Sequence, residues 1–145
     1  MSYVSGKKPE KCIFCNPSDL LLYETDDIII LLNKYPYNPA HLLIAPKKHI
    51  EKFEDLSDKN LLIVMKTIQK SIKLLEKVYS PVGFNFGLNQ GKAAGASIIE
   101  HLHFHLVPRY ENELGFMDIT SGTRMIVEKL EDTLKKLKAN INMLK

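Results

Sequence analysis

Three histidines, His101, His103 and His105, stand two residues apart in HLHFHLV (101–107), and two cysteines, Cys12 and Cys15, form a C-x-x-C near the other end of the chain. The alternation of histidine with Leu, Phe and Leu predicts a half-buried β-strand. The imidazoles then form a row about 6–7 Å apart on one face, with Leu102, Phe104 and Leu106 on the other. Three readings of the row stand side by side. The histidines could be structural, although histidine is only of intermediate burial and a sheet gains little from stacking three of them. They could ligate a catalytic metal, since imidazole is a common zinc ligand, although three consecutive ones on one strand rarely converge on one ion. Or the middle one, His103, could be a nucleophile: a neutral imidazole nitrogen attacks phosphorus or an acyl carbon, and at an ordinary pKa of about 6.5 it is largely neutral at pH 7.

Immediately before the row lies a run of small residues, Asn89-Gln90-Gly91 and Ala93-Ala94-Gly95-Ala96-Ser97. Small side chains leave backbone N–H groups exposed, and such loops cradle phosphate oxygens. The run matches neither a Walker loop nor a dinucleotide fingerprint. Its position next to the histidines makes it read as a phosphate site beside a nucleophile. The two cysteines are too few for a disulfide framework and point to metal or redox chemistry. A redox C-x-x-C opens a helix after a strand, whereas this one precedes the first strand. A zinc site needs two further ligands.

These side chains need a scaffold. With 145 residues, 45% hydrophobic and 26% charged, the chain has the composition of one soluble globular domain with a substantial core. A net charge of +3, from twenty basic and seventeen acidic residues spread along the chain, argues against a nucleic-acid-binding surface. No apolar run is long enough to span a membrane, and MSYVSGKKPEK lacks the apolar stretch of a signal peptide, so a cytoplasmic protein without membrane partners is expected. LLLYET (20–25), DIIILLNKY (27–35), HLLIAPKK (41–48), GFNFGLN (83–89) and IIEHLHFHLVPR (98–109) read as five strands. The segment from Ser57 to Tyr79 reads as a helix, capped by Ser57 or Asp58 and stopped by Pro81, with Leu61, Met65, Ile68, Ile72, Leu75 and Tyr79 on its inner face. A second helix is expected from Thr123, with Ile126, Leu130, Leu134, Leu137 and Ile141 inward. Hairpin-linked strands and two separate helices predict an α+β domain on an antiparallel sheet.

HLHFHLV, the CIFC start, LNKYPYNPAHLLIAPKKHI and the N-x-G-x-x-A-G loop together resemble the histidine triad (HIT) family over nearly the whole chain. The resemblance implies a single HIT domain over 1–145, usually a homodimer with one continuous sheet, that binds adenine nucleotides and cleaves them at the α-phosphate. By the same resemblance His103 is the nucleophile that becomes nucleotidylated, and His41 and His105 are its phosphate-contacting neighbours. Asn33 is implied to bind the ribose hydroxyls. Asn89 and the turn Gly95, Ala96 and Ser97 are implied to contact the α-phosphate and leaving group. His49 and His101 resemble the histidines that complete a structural Cys₂His₂ zinc site with Cys12 and Cys15 in many members and in the related galactose-1-phosphate uridylyltransferases.

The chain departs from the family pattern at one point. Ser97 falls where many members carry a Gln, because the loop is one residue longer, which changes how the bridging oxygen and leaving group are handled. The same loop, with FM (116–117) and TR (123–124), resembles the bacterial diadenosine tetraphosphate phosphorylases of the family. The expected activity is therefore a phosphohydrolase or nucleotidyltransferase acting on dinucleoside polyphosphates or adenylated amines, with phosphorolysis as its alternative. Mg²⁺ would enter only as companion to a polyphosphate substrate. Two other classes remain: a non-enzymatic nucleotide-binding regulatory module, and a metal-dependent phosphohydrolase with the histidine row as ligands.

Overall fold

The computed structural model describes residues 11–96, 98–111 and 128–145, and the backbone of residues 117–118 and 123–124. Ser97, Phe116 and Ile126, all named above, lie outside the described residues. Strands β1 (Leu21–Glu24), β2 (Ile28–Leu32) and β3 (Leu42–Pro46) lead into helix α1 (Asp58–Tyr79), followed by β4 (Gly83–Gly87) and β5 (Phe104–Arg109). A short pair, β6 (Met117–Asp118) and β7 (Thr123–Arg124), precedes helix α2 (Leu130–Lys138). The first five strands form one antiparallel sheet in the order β1-β2-β3-β5-β4. Among the described residues no helix is long and apolar enough to cross a membrane.

Every residue of β2 and β3 is buried, which explains why both read as continuous apolar runs rather than alternating ones. Alternation still sorts them. Ile28, Ile30, Leu32, Leu42 and Ile44 pack with Phe104 and Leu106 of β5 against Val64, Ile68, Leu74 and Leu75 of α1 and Leu137 of α2. Ile29, Leu31, Leu43 and Ala45 face the other way and are covered by Cys12, Phe14 and Cys15. The C-x-x-C turn is thus the second layer over the centre of the sheet. His105 pairs with Leu43 across β5 and β3, so it stands on this second face, opposite α1.

Ser57 caps α1, its hydroxyl accepting from the Asn60 amide at 3.2 Å, and Ser80 ends the helix in the left-handed region (φ 49°) before Pro81. The buried stripe differs from the expected one: it runs through Val64, Thr67, Ile68, Ser71, Leu74 and Leu75, while Leu61, Met65, Ile72 and Tyr79 flank it half-buried. Two polar residues occupy that stripe because their hydroxyls have partners one turn back. Thr67 Oγ1 donates to the Ile63 carbonyl (2.8 Å) and Ser71 Oγ to the Thr67 carbonyl (2.7 Å).

Two further expectations are corrected. The strand expected over 98–109 begins only at Phe104, so of the three histidines only His105 belongs to it. Its partners run out: the β3 ladder ends with the pair Ile44–Phe104, just before Pro46, and β4 stops at Gly87, opposite His105. Upstream, the chain is tied by the Leu102 amide donating to the Ile50 carbonyl (2.7 Å). The second helix begins at Leu130 rather than Thr123, because Thr123–Arg124 pairs with Met117–Asp118 as a short ladder. Of the face expected for it, Leu137 is fully buried, and Leu130, Leu134 and Ile141 pack against the core.

Candidate active site and metal centre

His41 enters the site from a tight corner. Ala40 takes a left-handed backbone (φ 66°), turning the chain into β3, and Asn38 Nδ2 donates to the Pro108 carbonyl (2.9 Å), fastening the corner to β5. The buried His41 ring then meets His105 across the sheet, Nε2 to Nδ1 at 3.0 Å. The Tyr37 amide donates to His41 Nδ1 (3.3 Å), so that nitrogen is the acceptor and Nε2 carries the proton. His41 Nε2–H therefore donates to His105 Nδ1, and His105 bears its own proton on Nε2. The bonds run in one direction, from the Tyr37 amide through two rings to an N–H donor at the site.

His103 is ordered differently. Its Nδ1 donates to the His101 carbonyl at 2.8 Å, which leaves Nε2 with the lone pair. Burial holds the pKa of His103 and His105 below the ordinary histidine value; His101's carbonyl partly opposes this for His103, and His103 adds to it for His105. Burial first, then the neighbouring His105, brings His41 down to about 4. All three imidazoles are neutral at physiological pH. A neutral His103 keeps a lone pair on Nε2, and a neutral His105 is a hydrogen-bond donor rather than a cation.

His103 and His105 line a cavity of ≈ 370 Å³ whose other walls include Asn33, Leu31, Leu43 and Ile98. The wall combines aliphatic side chains with a few polar ones, Ser18, Asn33 and the two histidines among them, as small-molecule pockets commonly do. Asn33 faces the cavity while its Nδ2 lies 3.3 Å from His41 Nδ1 and its Oδ1 accepts from the Tyr35 amide (3.0 Å). On the other side of His105 a shallower depression of ≈ 270 Å³ is lined by Asn89, Tyr37 and Phe86. Asn33, His41, His103, His105 and Asn89 are thus brought together. Gly95 and Ala96 line neither depression. The loop holding them closes as a 3-10 turn at Lys92–Ala94, with the amides of Ala94 and Ala96 donating to the Gly91 carbonyl and that of Gly95 to the Lys92 carbonyl. These amides serve the turn, which differs from the exposed cradle expected from the small side chains. Gly91 (φ 87°) and Gly95 (φ 91°) supply the backbone angles the turn needs.

The cysteines and the remaining two histidines form a second cluster. His101 Nδ1 lies 3.3 Å from Cys12 Sγ, 3.7 Å from Cys15 Sγ and 3.1 Å from His49 Nδ1; Cys15 Sγ is 3.2 Å from His49 Nδ1. All four ligand atoms lie within 4.8 Å of one another. A zinc tetrahedron with ordinary Zn–N and Zn–S bonds has edges of roughly 3.3–3.8 Å. The observed separations bracket that range. His101 Nε2 donates to the Pro46 carbonyl (2.8 Å), leaving Nδ1 unprotonated and aimed at the cluster, and burial keeps this imidazole's pKa down at about 4. Two cysteine sulfurs and two imidazole nitrogens gathered this closely, with three of the four residues buried, suit a structural zinc. This also separates the triad: His101 belongs to the metal cluster, and His103 and His105 to the cavity.

Sequence reasoning missed three participants. The Tyr37 amide, which fixes the His41 tautomer, is a main-chain group and carries no side-chain signal. Asn38 lay inside the quoted LNKYPYNPAHLLIAPKKHI without a role of its own. Phe14 was not singled out within CIFC, although an aromatic confined between two cysteines is the signal that could have marked it.

The HIT domain matches residues 16–112, which hold all of the cavity's histidines. This chain belongs to the HIT family. A relative within it, an AP-4-A phosphorylase of Mycobacterium tuberculosis, is 42% identical over 110 residues, covering 76% of this chain and 56% of that protein. The chain thus spans little more than half the length of that curated relative. An uncharacterized HIT-like protein of Methanocaldococcus jannaschii is 32% identical over 133 residues, 88% of this chain and 98% of that one. Among solved HIT structures, a hypothetical histidine triad nucleotide-binding protein of Sulfolobus tokodaii superposes with a TM-score of 0.75 at 26% identity, covering 92% of this chain and 94% of its own.

Proposed function

We propose that this chain is a HIT nucleotide hydrolase or nucleotidyltransferase that works through a covalent nucleotidyl-histidine on His103. The observation that carries the reading is the His103 Nδ1–H bond to the His101 carbonyl, which reserves Nε2 as the lone-pair nitrogen of a ring lining the cavity. The nucleoside occupies the aliphatic cavity with its ribose near Asn33, and the α-phosphate sits between His103 and His105. His103 Nε2 attacks the α-phosphorus while the P–O bond to the leaving group breaks. His105 Nε2–H donates to a non-bridging oxygen, where charge builds up. His41 holds His105 in that tautomer. Asn89, beyond His105, is suited to the leaving-group side, and Ser97, Gly95 and Ala96 are assigned to the same side by family resemblance.

In the second step an acceptor oxygen attacks the same phosphorus and the P–N bond breaks, returning the electron pair to Nε2. Water gives the nucleoside monophosphate, and inorganic phosphate gives the diphosphate. The resemblance to the M. tuberculosis phosphorylase favours phosphate as acceptor. Diadenosine tetraphosphate plus phosphate is then expected to give ATP and ADP. Product analysis with and without phosphate tests this: ATP and AMP, at a rate indifferent to phosphate, would reject phosphorolysis and leave a hydrolase. His103→Ala is expected to abolish turnover while still binding AMP. Near-wild-type turnover by that variant would reject the nucleophile, and an inert wild type would leave a nucleotide-binding module.

Zinc, held by Cys12, Cys15, His49 and His101, serves as a structural cross-link in this reading, and any Mg²⁺ travels with the polyphosphate. A cytoplasmic homodimer completes it. Edge strand β4 carries exposed Phe86 and is preceded by exposed Val82, apolar side chains on the edge that pairing of two β4 strands would use. Light scattering that gives a monomer mass at micromolar concentration would reject the dimer.

A further inference from the structure

We infer that Phe14 is a positioning residue for His103, through which the metal cluster sets the plane of the nucleophilic ring. Phe14 lies between two cluster cysteines and is 1% exposed, although it belongs to a turn outside the sheet. Its ring is stacked on His103, with centroids 5.1 Å apart and planes 29° from parallel, and lies 4.9 Å from the His101 ring. The turn is closed by the Asn16 amide donating to the Cys12 carbonyl at 2.9 Å. Fixing both thiols in one cluster with His49 and His101 fixes both ends of a three-bond bracket around Phe14, so the aromatic ring has little freedom to withdraw.

The two restraints on His103 are complementary. The His101 carbonyl selects which ring edge carries the proton, because only Nδ1–H can donate to it. It does not by itself stop the ring from tilting about that bond. The flat face of Phe14 does, and it also keeps water off one side of the imidazole. In-line attack needs Nε2 aimed at the phosphorus, and a misplacement of about 1 Å is enough to cost on the order of a hundredfold in rate. His101 joins both restraints, since its Nδ1 belongs to the cluster and its carbonyl holds His103. The cluster, two residues upstream of the nucleophile, thus acts on the chemistry without touching the substrate.

This rests on the reading of His103 as nucleophile, so the test includes a measurement that does not depend on turnover. Phe14→Leu removes the flat face and keeps an apolar side chain. The zinc-loaded variant is expected to retain about one zinc per chain and to bind AMP within about twofold of wild type. Its single-turnover nucleotidylation by diadenosine tetraphosphate should slow at least tenfold, so that kcat falls while KM holds. In the substrate-free protein, the His103 ring resonances should shift and broaden as the imidazole gains freedom to tilt, while the Nδ1–H tautomer is kept by the His101 carbonyl. Wild type stripped of zinc by a chelator should show the same spectral change, a readout that survives even if the variant fails to fold. An unchanged His103 spectrum in the chelated wild type, or a folded Phe14→Leu that nucleotidylates at the wild-type rate, would overturn the inference. Because the spectrum is recorded without substrate, an active His103→Ala would refute the nucleophile and leave the positioning result standing.

Discussion

Lowering the pH from 7 to 5 should load the fold through one side chain, His41. In the native state this imidazole is 1% exposed, accepts at Nδ1 from the Tyr37 amide and donates at Nε2 to His105, so a second proton would evict the Tyr37 N–H. Its pKa is accordingly about 4, against the ordinary 6.5 expected in the unfolded chain. The sign follows from proton counting. Between those two values the unfolded state binds the proton and the native state does not, so stability is intact above pH 6.5 and declines as the pH falls toward 4. For these two pKa values the linkage integral between pH 7 and pH 5 is about 2 kcal/mol. The measurement is urea unfolding of wild type and His41→Gln at both pH values. Groups shared by the two proteins, the carboxylates and the metal cluster among them, cancel in the difference. Wild type should lose about 2 kcal/mol more than the variant on acidification, roughly 1 M in urea midpoint. Equal losses would show that the native His41 takes up its proton as easily as the unfolded one, and the bond order assigned to Tyr37, His41 and His105 would fall with it.

Two further outcomes are expected. Cys12→Ser should reduce the zinc content from about one per chain to a fraction and lower the melting temperature by several degrees; wild-type protein that purifies free of zinc and melts like the variant would contradict the cluster. Gly95→Ala should cost about 1–2 kcal/mol in thermal unfolding, from backbone conformation alone, because the added Cβ meets nothing within 4 Å of Gly95. An unchanged melting temperature would mean that the turn does not require the positive φ.

The parts of the fold that could be read from sequence are those whose cause is local. The apolar runs of β2 and β3 and the three-to-four periodicity of α1 are set by residues within each element. The beginning of β5 is not, because it depends on where two distant strands stop, at Pro46 and Gly87, and an alternating HLHFHLV looks the same on either side of that point. The beginning of α2 was misread because Thr123–Arg124 has a ladder partner that no local pattern reveals. Thr67 and Ser71 hid the true inner stripe of α1, since their burial depends on carbonyls of the preceding turn. In the site, the family motif already implied separate parts for His101, His103 and His105 and named His41 and Asn33, whereas the proton placement on each ring was not legible. It depends on which neighbour each ring nitrogen meets: His101 on thiols, His103 on a carbonyl, His105 on another imidazole.

The one-way bond order from the Tyr37 amide to His105 has a consequence for inhibitor chemistry. Each ring passes donor character forward, so the pocket offers an N–H at His105 and a lone pair at His103, side by side and of opposite polarity. A compound that fills the cavity with an aromatic ring gains at this point only if it presents an acceptor oxygen to one nitrogen and an electrophilic or hydrogen-donating centre to the other. Phosphonates, sulfamates and vanadate esters meet that demand. A primary ammonium in the same place can donate to His103 but has no lone pair to accept from the His105 N–H. Affinity across a nucleoside series should therefore follow the order of donor and acceptor along the scaffold more closely than its net charge.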